Sequence, residues 1–433
     1  MNGNELFAAG YKQESYWWEA APLAALPETK PPAAVDLVIV GSGYTGLAAA
    51  LVAARGGRSV LVLEAERAGH GCSTRNGGQV STSIKPDYAT LSQRHGAAQA
   101  LEIRREGIRA LDFIAELIQR ENIDCDWEVN GRFHAAHNPQ QYEALAQALG
   151  HQAKGQEVPY EMVPRSEQRR EIGSDRYFGG VVYPRHAQLH PGKYHAGLLA
   201  KVREAGAAVI DRTRVEAVER DGQGFSVRTA KGSVKARDVL IASNGYTGPG
   251  TPWFRRRVIP IGSYIIATEP LEPKLATELV PHARSLSDTR KLVFYYRLSP
   301  DRRRMLFGGR VAYNETDANV SAPRLHDAMC AIYPQLKSAR ISHSWLGFVA
   351  YTFDTMPHIG RQDGLWYAMG YCGSGVSLAT YFGTRIGQQI LGQKEGATPL
   401  DGLAFPTRPL YTGYPWFLAP SIFYYRMRDR LPV

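Results

Sequence analysis

Cysteine is scarce in this chain. Cys72, Cys125, Cys330 and Cys372 are the only four in 433 residues, with no CxxC pair and no Cys/His cluster. That excludes a disulfide framework and a zinc site, and no metal is expected. Scattered thiols fit a reducing cytoplasm. Long hydrophobic runs are also missing: no stretch reaches the roughly 18 apolar residues that cross a bilayer. The first twenty residues lack a basic start followed by an apolar run, which speaks against a secretory signal. There is no internal repeat, no low-complexity tract and no Ser/His/Asp set pointing to hydrolysis. The net charge is +10, yet no zinc finger, RNA-recognition signature or Lys-rich tail accompanies it, so nucleic acid is not expected as a partner. What remains, 44% hydrophobic and 21% charged residues, is the composition of a globular enzyme of two connected domains.

One segment carries a mechanism. Asp36 to Val40 (DLVIV) has the apolar run of a buried parallel strand. Gly41-Ser42-Gly43-Tyr44-Thr45-Gly46 follows, then an Ala-rich helix from Leu47 to Arg55. A second buried strand, Arg58 to Leu63, ends at Glu64 and Ala65. Strand, Gly-rich turn, helix, strand and acid in this order form a dinucleotide fingerprint. Gly41 permits the turn, Gly43 lets the backbone approach a pyrophosphate, and Gly46 lets helix and strand pack closely. The helix-start amides face the phosphates, and Glu64 reaches the adenosine ribose.

Arg67 to Gln79 (RAGHGCSTRNGGQ) adds a second Gly-rich loop with Ser73, Arg75, Asn76, Gly77, Gly78 and Gln79. This loop resembles the phosphate and flavin contact of the D-amino-acid oxidase family. Its RNGGQ form looks most like the γ-glutamylputrescine oxidase branch. The resemblance continues through Gly179 to Lys193, Ala207 to Val215, Asp238 to Thr247 with Asn244 and Gly245, Tyr295 to Arg310, and Trp345 to Gly360 (WLGFVAYTFDTMPHIG). It ends at Gly370 to Gly375, where Gly373, Ser374, Gly375 and Val376 open an apolar helix to Leu391. The resemblance implies FAD, an α/β Rossmann-like FAD-binding domain of discontinuous chain, and an α+β substrate domain with a mixed or antiparallel sheet. It further implies that Val215 supplies backbone to the adenine and that the late helix start faces the flavin pyrimidine. Relatives that attach flavin covalently have a cysteine where this chain has Val349, so non-covalent FAD is expected.

The expected division is an arm over 1–35, an FAD domain from 36–90, 180–250 and 340–400, a substrate domain from 91–179 and 251–339, and a tail over 401–433. Tyr411 to Val433 interleaves Trp416, Phe417, Phe423, Tyr424 and Tyr425 with Arg426, Arg428 and Arg430. It reads either as an interfacial membrane contact, placing the enzyme at the inner membrane, or as a tail docked on the protein or a second subunit. The oligomeric state is left open.

The resemblance implies hydride removal from the carbon beside an amine nitrogen, giving an imine that water hydrolyses. The small-molecule amine is a γ-glutamyl amine or an N-carboxymethyl amino acid such as iminodiacetate or sarcosine. Oxygen is the expected acceptor, giving peroxide. A membrane-linked dehydrogenase feeding quinone and a non-catalytic FAD-binding partner protein are the alternatives. For the substrate, strand alternation aims either Tyr296, or Tyr295 with Arg297, into the pocket. Tyr351 and His358 of the late signature, and Tyr264, are further candidates. Lys85, just past the RNGGQ loop, is a candidate for tuning oxygen reactivity.

Overall fold

The computed structural model describes residues 6–429, so Arg430 of the tail and the first five residues of the arm lie outside the described residues. Two sheets organise the chain. In the eight-stranded sheet, Ala34–Val40, Val60–Leu63, Ala208–Ile210 and Gly232–Ile241 run parallel, and the first of them is followed by the helix Tyr44–Arg55. Both faces are covered along Leu37–Val40, Val60–Leu63 and Val239–Ile241, which is why these stretches are continuous apolar runs. A long helix, Gly375–Ile390, lies against Tyr44–Arg55. Gly383 allows this approach, since a Cβ there would fall 2.5 Å from the Thr45 carbonyl oxygen.

The nine-stranded sheet is mixed. Its order is Phe7–Lys12, Ile341–Tyr351, Ile259–Thr268, Met305–Gly309, Tyr295–Leu298, Ser285–Asp288, Arg132–Ala135, Gly180–Tyr183 and Glu161–Val163. One face buries Phe133, Tyr264, Tyr296 and Phe307 against the helix Ala318–Ile332 and the Tyr333 that ends it. The other face looks across at the parallel sheet.

Three placements differ from the expected division. The strand Ile341–Tyr351, expected in the FAD domain, pairs along its length with Ile259–Thr268. Gly180–Tyr183 pairs with Arg132–Ala135 and so also belongs to the nine-stranded sheet. The arm is a strand, Phe7–Lys12, parallel to Ile341–Tyr351, followed by a fully buried Trp17. The amphipathic segment after His95 forms the helix Ala97–Arg120, as its period predicts. No helix among the described residues is long and apolar enough to cross a membrane. No group of three His, Cys, Asp or Glu able to hold a metal occurs among them.

Candidate active site

A cavity of about 1480 Å³ runs between the two sheets. At its nucleotide end the turn after Val40 carries Gly41 at φ +108, and the amides of Tyr44 and Thr45 begin the helix. Glu64 lies at the end of its strand. Its Oε2 accepts from the Ser42 amide at 3.0 Å and the Ser42 hydroxyl at 2.8 Å, which fixes the carboxylate at the cavity wall. Ala65 and Val215 line the same end.

The RNGGQ loop forms the next section. Asn76 knits it together, accepting from the Gly78 amide at 2.8 Å and donating to the Cys72 and Ser73 carbonyls. The arm clamps it from outside: the Trp17 indole donates to the Asn76 carbonyl, the Trp18 indole to Thr74 Oγ1, and Ser15 to the Thr74 carbonyl. Trp345 of the late signature donates to the Arg75 carbonyl at 2.9 Å. Arg75 is itself held to the Leu346 carbonyl, and its Nε is buried with no partner among the described residues.

Most of the expected cofactor residues line this cavity: Gly41, Gly43, Tyr44, Thr45, Glu64 and Ala65 at one end, then Ser73, Arg75, Asn76, Gly77 and Gln79, with Asn244 and Gly373 to Val376 beyond. Three shape it from behind instead. Gly46 packs on Gly41, Gly78 turns the loop with its carbonyl accepting from the Leu189 amide, and Gly245 packs on Phe348.

The substrate end corrects four expectations. Tyr295, not Tyr296, faces the cavity, and its hydroxyl meets Ser263 at 2.7 Å. Alternation sends Tyr296 through the sheet to stack on Phe307 and donate to Tyr177. Arg297 shares the side of Tyr295 but is covered: its guanidinium donates to the Leu189 carbonyl at 2.9 Å and the Leu298 carbonyl at 3.0 Å, under Trp17. Tyr264 points into the core and donates to Glu315 at 3.0 Å. His358 stacks on Phe405 and bonds Asp354 at 3.1 Å. Of the expected substrate-site candidates, Tyr295 and Tyr351 line the cavity. Lys85 reaches the Tyr351 hydroxyl at 3.4 Å, and the Tyr351 charge interaction raises the lysine's pKa, so it is cationic.

Residues that sequence reasoning missed complete the wall. Arg132 and His134 come from one strand and Ser287 from its neighbour. The alternation in Arg132-Phe133-His134-Ala135, polar outward and apolar inward, was the available signal. The tail forms a helix, Leu418–Arg428, whose Leu418, Ile422, Tyr425 and Arg428 also line the cavity. It docks on its own protein: Asp429 accepts from the Lys291 and Leu292 amides, and Tyr411 donates to the Val258 carbonyl. Phe423, Tyr424 and Met427 of the helix stay exposed, as does Trp416 just before it.

Buried histidines, His186 and His190 among them, contribute to the pH dependence of stability. Burial, with Arg132 beside it, pushes His186 down to about 2, and burial pushes His190 down to about 4. Both are neutral in the folded chain, whereas the unfolded chain protonates them near pH 6.5. Protons therefore bind the unfolded state first as pH falls. Stability is full above pH 6.5 and is lost progressively below it, on the order of 2 kcal/mol per histidine by pH 5. Thermal melts at pH 7.5 and pH 5 check this, and an unchanged midpoint would contradict the assigned burial.

The cavity fits a flavin dinucleotide. A Cβ at Gly43 would meet Ser73 Oγ at 3.0 Å, so that turn has room for a backbone-hugging ligand and for little else. The unpartnered Arg75 Nε is a donor awaiting an acceptor. The FAD dependent oxidoreductase (DAO) family model matches residues 36–389. The chain is 34% identical to γ-glutamylputrescine oxidoreductase of Escherichia coli (strain K12), over 92% of this chain and 93% of that protein. In fold it is similar to glycine oxidase from Geobacillus kaustophilus (TM-score 0.70, 18% identity, 88% of this chain and 99% of that one). Iminodiacetate oxidase from Chelativorans sp. BNC1 is also similar (TM-score 0.66, 17% identity, 85% and 100%). The chain therefore belongs to the DAO family of FAD-dependent oxidoreductases, and FAD is its cofactor.

Proposed function

We propose that this oxidoreductase breaks a C–H bond beside the nitrogen of a small amine bearing a remote polar head, with a γ-glutamyl amine as its substrate. Bound FAD supplies the two-electron acceptor for the hydride. The protein's part is to hold the amine carbon against the cofactor, keep competing water out and bind the far end of the substrate. The observation that carries the reading is the length of the cavity. Beyond the cofactor loop its lining continues along the sheet past Tyr295 and Ser287 to His134 and Arg132. The product imine of such a primary amine then takes up water and releases an aldehyde and ammonia. Oxygen as acceptor is supported by Lys85, a fixed cation at the wall, since an acceptor that gains negative charge is stabilised beside one.

The flavin is held without a covalent bond in this reading. Val349 offers no thiol, and burial pushes the cavity thiols Cys72 and Cys372 up to about 11, where little thiolate forms. Acid precipitation should leave the pellet colourless and the supernatant yellow. Flavin retained in the pellet would overturn this.

The exposed outer side of the tail helix favours a second reading, in which the same chemistry feeds a membrane quinone. Detergent-free fractionation with oxygen-dependent turnover in the soluble fraction counts against it. The substrate test is anaerobic bleaching of the flavin. Bleaching by γ-glutamylputrescine supports the first reading. Bleaching only by iminodiacetate, sarcosine, glycine or proline moves the substrate to a short amino acid. Bleaching by none removes the proposed chemistry.

A further inference from the structure

Among the described residues no carboxylate balances the charge of Arg132. Its strand holds it opposite Tyr183 and Ser285, with the guanidinium 5.2 Å from the centre of the Tyr183 ring. It lines the cavity, and its Nε has no hydrogen-bond partner among the described residues. The groups packed around it do not balance it. His134 meets Ser287 at 2.9 Å and His186 meets Thr82 at 3.1 Å, and burial holds both neutral. Arg104 adds positive charge and donates to the Ile84 carbonyl. Asp288, on the adjacent strand, is already engaged by Arg290. An enclosed guanidinium left unpaired is unfavourable unless a ligand completes it.

Its position sets a length. Tyr295 lies under the cofactor loop, since a Cβ on Gly77 would meet its ring at 3.1 Å. From the strand Tyr295–Leu298 the sheet steps to Ser285–Asp288 and then to Arg132–Ala135. Tyr295 pairs with Ser287 and Ser287 with His134, and Arg132 lies two residues further along that strand, so two strand spacings and two residues of rise separate the backbones of Tyr295 and Arg132 by about 12 Å. In glycine and iminodiacetate a carboxylate sits on the reacting carbon itself, and in sarcosine and iminodiacetate one lies a single carbon beyond the amine nitrogen, so none reaches that far. An acylated diamine with a carboxylate on its acyl group does.

We propose that Arg132 anchors a carboxylate at the far end of the substrate, so that the enzyme selects its amine by the distance between that carboxylate and the oxidised carbon. This rests on the γ-glutamyl amine reading above and assigns its distal subsite. The anchor holds the substrate bidentately and takes no part in the hydride step.

The test uses the holoenzyme and Arg132→Gln, with flavin content and melting temperature matched to the parent, and Arg132→Lys as a second variant. With γ-glutamylputrescine, Arg132→Gln should raise KM by ~10–100-fold and leave kcat within about threefold. Arg132→Lys should recover part of the loss. N-acetylputrescine, which lacks the carboxylate, should be handled alike by parent and variants. Equal KM values for γ-glutamylputrescine in parent and Arg132→Gln would overturn the anchor. Glutarate provides a readout without turnover: it should perturb the flavin spectrum of the parent and bind Arg132→Gln at least ~10-fold more weakly. If γ-glutamylputrescine fails to reduce the parent enzyme, the substrate reading falls. Weakened glutarate binding in Arg132→Gln then still supports the anchor, and unchanged or absent glutarate binding removes it.

Discussion

Gly46→Ala is expected to purify with little or no FAD. The new Cβ would fall 2.0 Å from the Gly41 carbonyl oxygen and 3.2 Å from Ile39 Cγ2, both fixed in the first strand and turn. Neither can withdraw, because the strand is paired on both sides. The helix Tyr44–Arg55 must back away and take the amides of Tyr44 and Thr45 with it. Overpacking of this kind costs about 1–3 kcal/mol or more in stability, and the displaced amides lose their contact with the phosphates. The ratio of flavin to protein absorbance should fall at least ~10-fold, with activity falling in proportion. Gly57→Ala is the control. Its φ of +82 makes alanine mildly strained, but nothing lies within 4 Å and it is far from the cavity, so flavin content should be unchanged. A Gly46→Ala protein with full flavin and full activity would mean the cradle is elsewhere.

The second large effect is on stability. Arg297→Ala should unfold at markedly lower denaturant concentration, with a loss of about 2–3 kcal/mol. The guanidinium is 2% exposed and ties the Leu189 carbonyl to its own strand while roofed by Trp17. Removing it strands buried acceptors and leaves a void. One term opposes this: burial depresses the arginine to about 10, so some desolvation cost is relieved when the charge goes. The unsatisfied carbonyls and the void outweigh it. Arg297→Lys should rescue only in part, because one ammonium cannot reach the Leu189 and Leu298 carbonyls together. The flavin-loaded fraction of Arg297→Ala should keep a KM close to that of the parent. A large rise in KM with stability intact would return Arg297 to the substrate site. The two arginines thus separate cleanly, one expected to move stability and the other KM.

The arginine assignments show where sequence reading stops. Alternation along Tyr295-Tyr296-Arg297 leaves two faces open, and only the packing decides between them. The core side took Tyr296, against Phe307 and Tyr333. Even the correct face did not make Arg297 a ligand, because the arm brings Trp17 across it from more than 250 residues away. Arg132 and the tail helix became part of the cavity for the same kind of reason: long-range packing delivered them there.

By itself the sequence determined the dinucleotide fold and its cofactor turn. Those depend on steric demands met within some thirty residues, namely apolar strands, a turn that only glycine can make, and a helix that must sit close to it. It also determined the helical and strand periods of most later elements, and the exclusion of metal and disulfide frameworks as working expectations. Tertiary structure alone decided which polar side chains share the substrate chamber. A side chain's surroundings are set by strand order in the nine-stranded sheet and by what the arm and tail cover, and neither is encoded in any local spacing.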